Sequence, residues 1–224
     1  MIAEVDEIQS ALRRRMPVPD EVFDQLYPRI SRFRSSVHWT PVEVAIRVAE
    51  LLDGAPGGQI LDVGAGVGKA CIIGALTTDN TAWFGVERDP AMVRVARKAA
   101  ERIGVSQRTR FLAGDAMTLD WSTFGGVYLY NPFAESLFIG DETIGPGAKR
   151  QAYIDEVRAV ERLVDGLGRG ARVVTYHGFG GDMPNSLELI VREKIREDEV
   201  CLWVHTGRRS DGFHIDGDGS EREL

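Results

Sequence analysis

Gly64, Gly66 and Gly68 form the densest glycine cluster of the chain, between the apolar run of residues 60–63 and the stretch Lys69-Ala70-Cys71-Ile72. A strand that ends in alternating glycines and runs into a helix wraps a ligand with bare backbone. Two phosphate-binding patterns fail here. A P-loop needs Gly, four residues, then Gly-Lys-Ser/Thr, but Val63 stands at the first glycine and Ala70 replaces the hydroxyl that would hold magnesium. A dinucleotide fingerprint needs a third glycine three places after the second, where this chain has Lys69.

Carboxylates follow at regular places. Asp62 stands just before the loop, and Glu87, next to Arg88, ends the following strand. An acid at that strand end accepts hydrogen bonds from both hydroxyls of a ribose. Asp115, with Ala116 beside it, ends the strand after that, where an acceptor meets the exocyclic amine of a purine or else caps a turn. The fourth strand closes on Asn131-Pro132-Phe133. Asn131 offers a carbonyl acceptor and an amide donor, Pro132 stiffens the turn, and Phe133 supplies an apolar wall. His177 ends the fifth strand, where a neutral imidazole can take a proton or be satisfied by a backbone carbonyl. Four histidines at unrelated spacings and two lone cysteines, Cys71 and Cys201, imply neither a metal site nor a disulfide framework.

Taken together, Asp62-Val-Gly64-Ala65-Gly66-Val-Gly68, Glu87, Asp115 and Asn131-Pro132-Phe133 resemble the class I methyltransferases that use S-adenosylmethionine, over roughly residues 37–207. The resemblance implies that the backbone of Gly64, Ala65, Gly66 and Gly68 passes the methionine end of the cofactor and that Asp62 anchors its amino group. Glu87 would bind the ribose and Asp115 the adenine amine, with Arg88 and Ala116 also in the cofactor site. The segment Ser-Ser-Val-His38-Trp39-Thr-Pro would fold over the cofactor, with Trp39 or His38 lining the site; alternatively Trp39 staples a helix start. The catalytic tip, Asn131, Pro132 and Phe133, is similar to the Asn-Pro-Pro-Phe/Tyr tetrad of amino-group methyltransferases, with one proline missing. It also resembles locally the Asn-Asn-Phe tip of the disruptor-of-telomeric-silencing lysine methyltransferases. Both imply an amine acceptor, foremost a protein lysine. An adenine of RNA or DNA, a small molecule, and a non-catalytic S-adenosylmethionine-binding module are the alternatives.

Such residues need a scaffold, and the hydrophobic pattern supplies one. Residues 3–15 and 19–27 read as short helices, and residues 40–52 as a longer one, with Thr40 as cap, Pro41 in the first turn and Glu43 completing a capping box. Strands at 59–64, 82–87, 109–115, 125–131 and 171–177 alternate with helices at 68–77, 90–104 and 148–166. Residues 187–195 and 199–207 close the pattern as an antiparallel pair. The expected fold is α/β: a doubly wound, mostly parallel seven-stranded sheet with helices on both faces, preceded by short N-terminal helices. The expected division is a helical extension at 1–36, a methyltransferase domain at 37–207, and a flexible acidic tail at 208–224. The chain has 224 residues, 43% hydrophobic, which suits one domain with a full core. Its start lacks the apolar segment of a signal peptide and no run suits a bilayer, so the expected setting is cytoplasmic. The net charge of −7 favours a basic protein or peptide partner and disfavours nucleic acid.

Overall fold

The structure, a computed structural model, describes residues 2–32, 39–131 and 146–207. Strands β1 (Gln59–Val63), β2 (Ala82–Glu87), β3 (Thr109–Ala113), β4 (Gly126–Tyr130), β5 (Arg172–Tyr176), β6 (Leu187–Ile195) and β7 (Asp198–His205) form one sheet. Their order is β3-β2-β1-β4-β5-β7-β6. The first five are parallel, and β7 and β6 run antiparallel to them. This is the expected seven-stranded sheet with its antiparallel C-terminal pair.

The central strands read as nearly continuous apolar runs because both faces are covered. Ile60, Trp83, Phe111, Tyr128, Val174 and Tyr176 face one core. It is filled by α1 (Ile2–Arg13), α4 (Val42–Leu52), α5 (Lys69–Thr77) and α6 (Pro90–Arg102). Leu61, Val63, Val127, Leu129 and Val173 face the other core, against Val157, Val160 and Val164 of α7 (Pro146–Asp165). Every residue of α5 is buried. The N-terminal region adds α2 (Asp20–Phe23), a 3-10 turn over Asp24–Leu26, and α3 (Arg29–Arg32).

One local expectation is corrected. Thr40 and Glu43 do not form a capping box: α4 begins at Val42 with Pro41 as its cap residue and no side-chain cap bond. The Thr40 hydroxyl instead shares a 3.0 Å hydrogen bond with the buried Tyr128 hydroxyl. The Val42 N–H donates to Asp20 Oδ1 at 2.8 Å, so the cap comes from α2. The expected tail at 208–224 lies outside the described residues. Among those described, no helix is long and apolar enough to cross a membrane.

Close packing at α5 is what seats the glycine loop on the sheet. A Cβ on Gly74 would lie 2.2 Å from the Trp83 ring, which is fully buried on β2. Alanine is the better helix former by about 0.5–1 kcal/mol, whereas overpacking a core costs about 1–3 kcal/mol. Gly74→Ala is therefore expected to lower the urea midpoint. A raised midpoint would show that the Trp83 ring has room to move.

Candidate active site

The loop after β1 turns on three left-handed residues, Gly64 (φ 74°), Gly66 (φ 55°) and Gly68 (φ 76°). Gly64 and Ala65 both donate to the carbonyl of Val86 at 3.0 Å, which lays the loop against β2. That approach needs Gly85, because a Cβ there would sit 2.7 Å from Ala65 Cβ. Gly68 is equally constrained, with the Phe111 ring 2.5 Å from the place of a Cβ, while Gly66 has nothing within 4 Å and faces open space. The open glycine is the one whose backbone a ligand can approach.

Glu87 reaches back across this loop. Its Oε2 accepts from the Gly66 N–H at 3.0 Å and its Oε1 from the Asp89 N–H at 2.8 Å. Asp62 lies beneath, 4% exposed, and accepts from the Cys71 thiol at 3.2 Å. Burial pushes the Asp62 carboxyl up to about 7, against the Cys71 hydrogen bond and helped by the charge of Glu87. Burial and the neighbouring Asp62 also push the Cys71 thiol up. Asp62 lines a cleft with Gly64, Ala65, Gly66, Lys69, Trp39, Thr40, Tyr128 and Tyr130. Trp39 stands edge-on to Tyr27, with ring centroids 4.8 Å apart.

Lys69 is the residue that sequence reasoning missed: it fits the Gly-Lys of a P-loop and breaks the dinucleotide pattern, and neither points to its partners. Its ammonium is buried and lies 2.8 Å from both Asp20 Oδ1 and Asp24 Oδ1. It also sits over the rings of Phe23 and Trp39, 5.6 and 5.8 Å from their centroids. Asp20 is a hub, bonded in addition to the Val42 N–H and to Arg196 in the β6–β7 turn at 2.8 Å. Burial would raise the Asp20 carboxyl, but Lys69, Val42 and Arg196 together bring it below its usual value. The available signal was a lysine opening a helix, which calls for carboxylates nearby.

Farther along the same edge, Asp115 accepts from the Met117 N–H at 3.0 Å and from Arg88 at 3.1 Å. Arg88 also reaches Glu156 at 2.6 Å. Asp115 and Ala116 thus stand at the end of β3, beside the cleft rather than in its wall, and Arg88 is engaged with carboxylates. Asn131 follows β4 in a left-handed conformation (φ 36°), its N–H donating to the Gly178 carbonyl at 2.9 Å. Pro132, Phe133 and His38 lie outside the described residues. His177 follows β5, also left-handed (φ 59°), and its Nδ1 is hydrogen-bonded to Asp198. A carboxylate, not the expected backbone carbonyl, satisfies that ring nitrogen.

A seven-stranded sheet in this order, with a glycine loop flanked by carboxylates, defines a Rossmann-like methyltransferase. The group it holds must tolerate acids, and the cation lining the cleft is already neutralised; a sulfonium nucleoside without phosphate fits that donor set. The comparisons agree. A family profile described as a methyltransferase domain matches residues 55–129. The chain is 32% identical over 208 residues to a protein-L-isoaspartate O-methyltransferase of Methanopyrus kandleri, covering 87% of each protein. It is 34% identical over 130 residues to a release factor glutamine methyltransferase of Rhodospirillum rubrum, 57% of this chain and 37% of that one. For several relatives, the chain spans only 27% to 48% of their length. Among solved structures, an RNA methyltransferase of Salinibacter ruber in complex with S-adenosyl-L-homocysteine is similar at a TM-score of 0.56 and 26% identity, over 81% of this chain and 99% of that one. The chain belongs to the class I S-adenosylmethionine-dependent methyltransferases, and S-adenosylmethionine is its cofactor.

The position of Asp62 has a measurable consequence. Its carboxyl is raised from 3.8 to about 7 on folding, so between those values the folded chain holds a proton that the unfolded chain has lost. The stability this contributes is complete below 3.8 and disappears as the pH rises to about 7. Asp62→Asn removes that dependence. Urea unfolding of the cofactor-free proteins at a series of pH values is expected to show wild type losing stability relative to Asp62→Asn across this window. Parallel curves would contradict the assignment.

Proposed function

We propose that this methyltransferase modifies an amine on a protein, a lysine side chain. The observation that carries the reading is the tip of β4. Tyr130 lines the cleft and packs against Tyr176 of β5 with ring centroids 5.1 Å apart, and Asn131 follows in a left-handed turn. Aromatic rings with a neutral amide acceptor suit an ammonium or methylammonium group, since both attract a cation without fixing it in an ion pair. Burial, Tyr130, Glu197 and Glu43 push the Tyr176 hydroxyl up, and Arg196 opposes them. The net charge of −7 favours a basic partner.

Bound S-adenosylmethionine supplies an electrophilic methyl group on its sulfonium sulfur. In this reading Asp62 accepts from the amino group of the methionine end, and the open backbone at Gly66 lies along it. Glu87 binds the ribose hydroxyls while holding the Gly66 N–H, and Asp115 meets the adenine edge with Ala116. Trp39 covers the cleft, and Asn131, with Pro132 and Phe133, orients the acceptor. Catalysis then consists mainly of alignment and exclusion of water.

Similarity to an isoaspartate methyltransferase over most of both chains favours a second reading, a protein carboxylate. The two are separable by chemistry. Labelled methyl is transferred from S-adenosylmethionine into a fractionated lysate, and portions are treated with protease, nuclease or mild base. Lysine methylation gives protease-sensitive, base-stable label that runs with methyllysine after acid hydrolysis. Label released by base as methanol would establish the ester, and label lost to nuclease would establish a nucleic-acid acceptor; either overturns the lysine reading. For the cofactor, Glu87→Ala is expected to weaken S-adenosylhomocysteine binding in calorimetry by about 1–3 kcal/mol, the cost of losing charged hydrogen bonds. Unchanged affinity would remove Glu87 from the site.

A further inference from the structure

An amine reaches an enzyme at neutral pH mostly as an ammonium, with no lone pair for attack. None of the residues given a role above removes that proton. We propose that His177 is the general base of this methyltransferase and that Asp198 is its positioning residue. The inference rests on the amine reading of the acceptor.

Placement is the first argument. Tyr130 of β4 is the register partner of Tyr176 of β5, so Asn131 and His177 are the next residues on two adjacent parallel strands, at their carboxyl ends. The Asn131 N–H bonds to the carbonyl of Gly178, which joins the two tips directly. Ligands of a doubly wound sheet bind at this edge.

Orientation is the second. Strand alternation would send residue 177 to the face of Val173, which belongs to the core away from the cleft. The left-handed φ of 59° at His177 breaks that alternation. Its ring instead meets Asp198, which shares a strand face with Val200 and Leu202. Those two pack in the same core as Tyr128 and Tyr176, on the cleft side. A non-glycine residue held left-handed is strained, and such residues cluster at functional sites.

The carboxylate, which can only accept, favours one tautomer. Asp198 Oδ1 accepts the Glu199 N–H at 2.8 Å, and Oδ2 takes Nδ1 of His177. A carboxylate on Nδ1 keeps the proton there and leaves the Nε2 lone pair available. Nε2 has no partner among the described residues, and the side chain is 56% exposed. Among the described residues, Arg196 and Glu197 of the β6–β7 turn, Glu43 of α4, Glu199 of β7 and its ion-pair partner Arg192 of β6 are charged groups around this edge.

The step balances simply. Nε2 takes a proton from the ammonium, and the freed pair on nitrogen forms the bond to the methyl carbon. The carbon–sulfur bond breaks with its pair remaining on sulfur, giving neutral S-adenosylhomocysteine and a methylammonium that carries the charge the sulfonium lost. Asp198 stabilises the imidazolium until it loses its proton to water.

His177→Gly is the direct test, because glycine adopts this φ without strain and the fold should be kept. The probe is the lysate protein fraction that wild type labels. Expected are an undiminished urea midpoint, unchanged S-adenosylhomocysteine affinity, and turnover lower by about 10²–10⁴-fold, partly restored by added imidazole. Asp198→Asn should lower kcat with KM unchanged and gain nothing from imidazole. Turnover of His177→Gly at the wild-type rate, or a loss that imidazole does not relieve, overturns the proposal. If wild type yields only base-labile label, the amine reading itself has failed, and the requirement for a base goes with it.

Discussion

The ammonium of Lys69 is buried at the first residue of α5, and much of the architecture around the cleft follows from it. A cation there opposes the helix dipole and would be costly without partners. Asp20 and Asp24 provide the charge, and both come from the N-terminal region. Through Asp20 the same node caps α4 and holds the β6–β7 turn by Arg196. Three segments far apart in sequence are thereby fixed to the residue that follows the glycine loop.

That node also explains the choice of ligand. In a phosphate site the loop amides and a lysine face the anion. Here the lysine is turned inward and neutralised, and two acids flank the loop: Asp62 below, Glu87 across it. Glu87 occupies the Gly66 N–H that a phosphate would claim. Two acids beside the loop suit a nucleoside with cationic groups better than a polyphosphate, in line with S-adenosylmethionine as cofactor.

The sheet was legible in the sequence because buried parallel strands appear as short apolar runs closed by Gly, Glu or Asp, and the β6–β7 pair by length and spacing. The turns at Gly64, Gly66 and Gly68 and the strand-end positions of Asp62 and Glu87 were legible because local backbone sets them, through three positive φ values and two strand ends. What escaped were pairings that no spacing encodes. Thr40 fitted a capping box, but the buried Tyr128 hydroxyl on β4 needed a partner and took it. The vacated helix start then drew on Asp20, 22 residues upstream. Lys69 with Asp20 and Asp24, and His177 with Asp198, likewise depend on tertiary approach alone.

In the proposed reading this loop holds a nucleoside thioether or sulfonium through carboxylates and bare backbone. Calorimetric titration with S-adenosylhomocysteine, run alongside ATP and NADH, tests it most directly. Saturable one-site binding of S-adenosylhomocysteine is expected, with no binding of the two phosphate-bearing nucleotides. Comparable binding of ATP or NADH, displaced by S-adenosylhomocysteine, would contradict it.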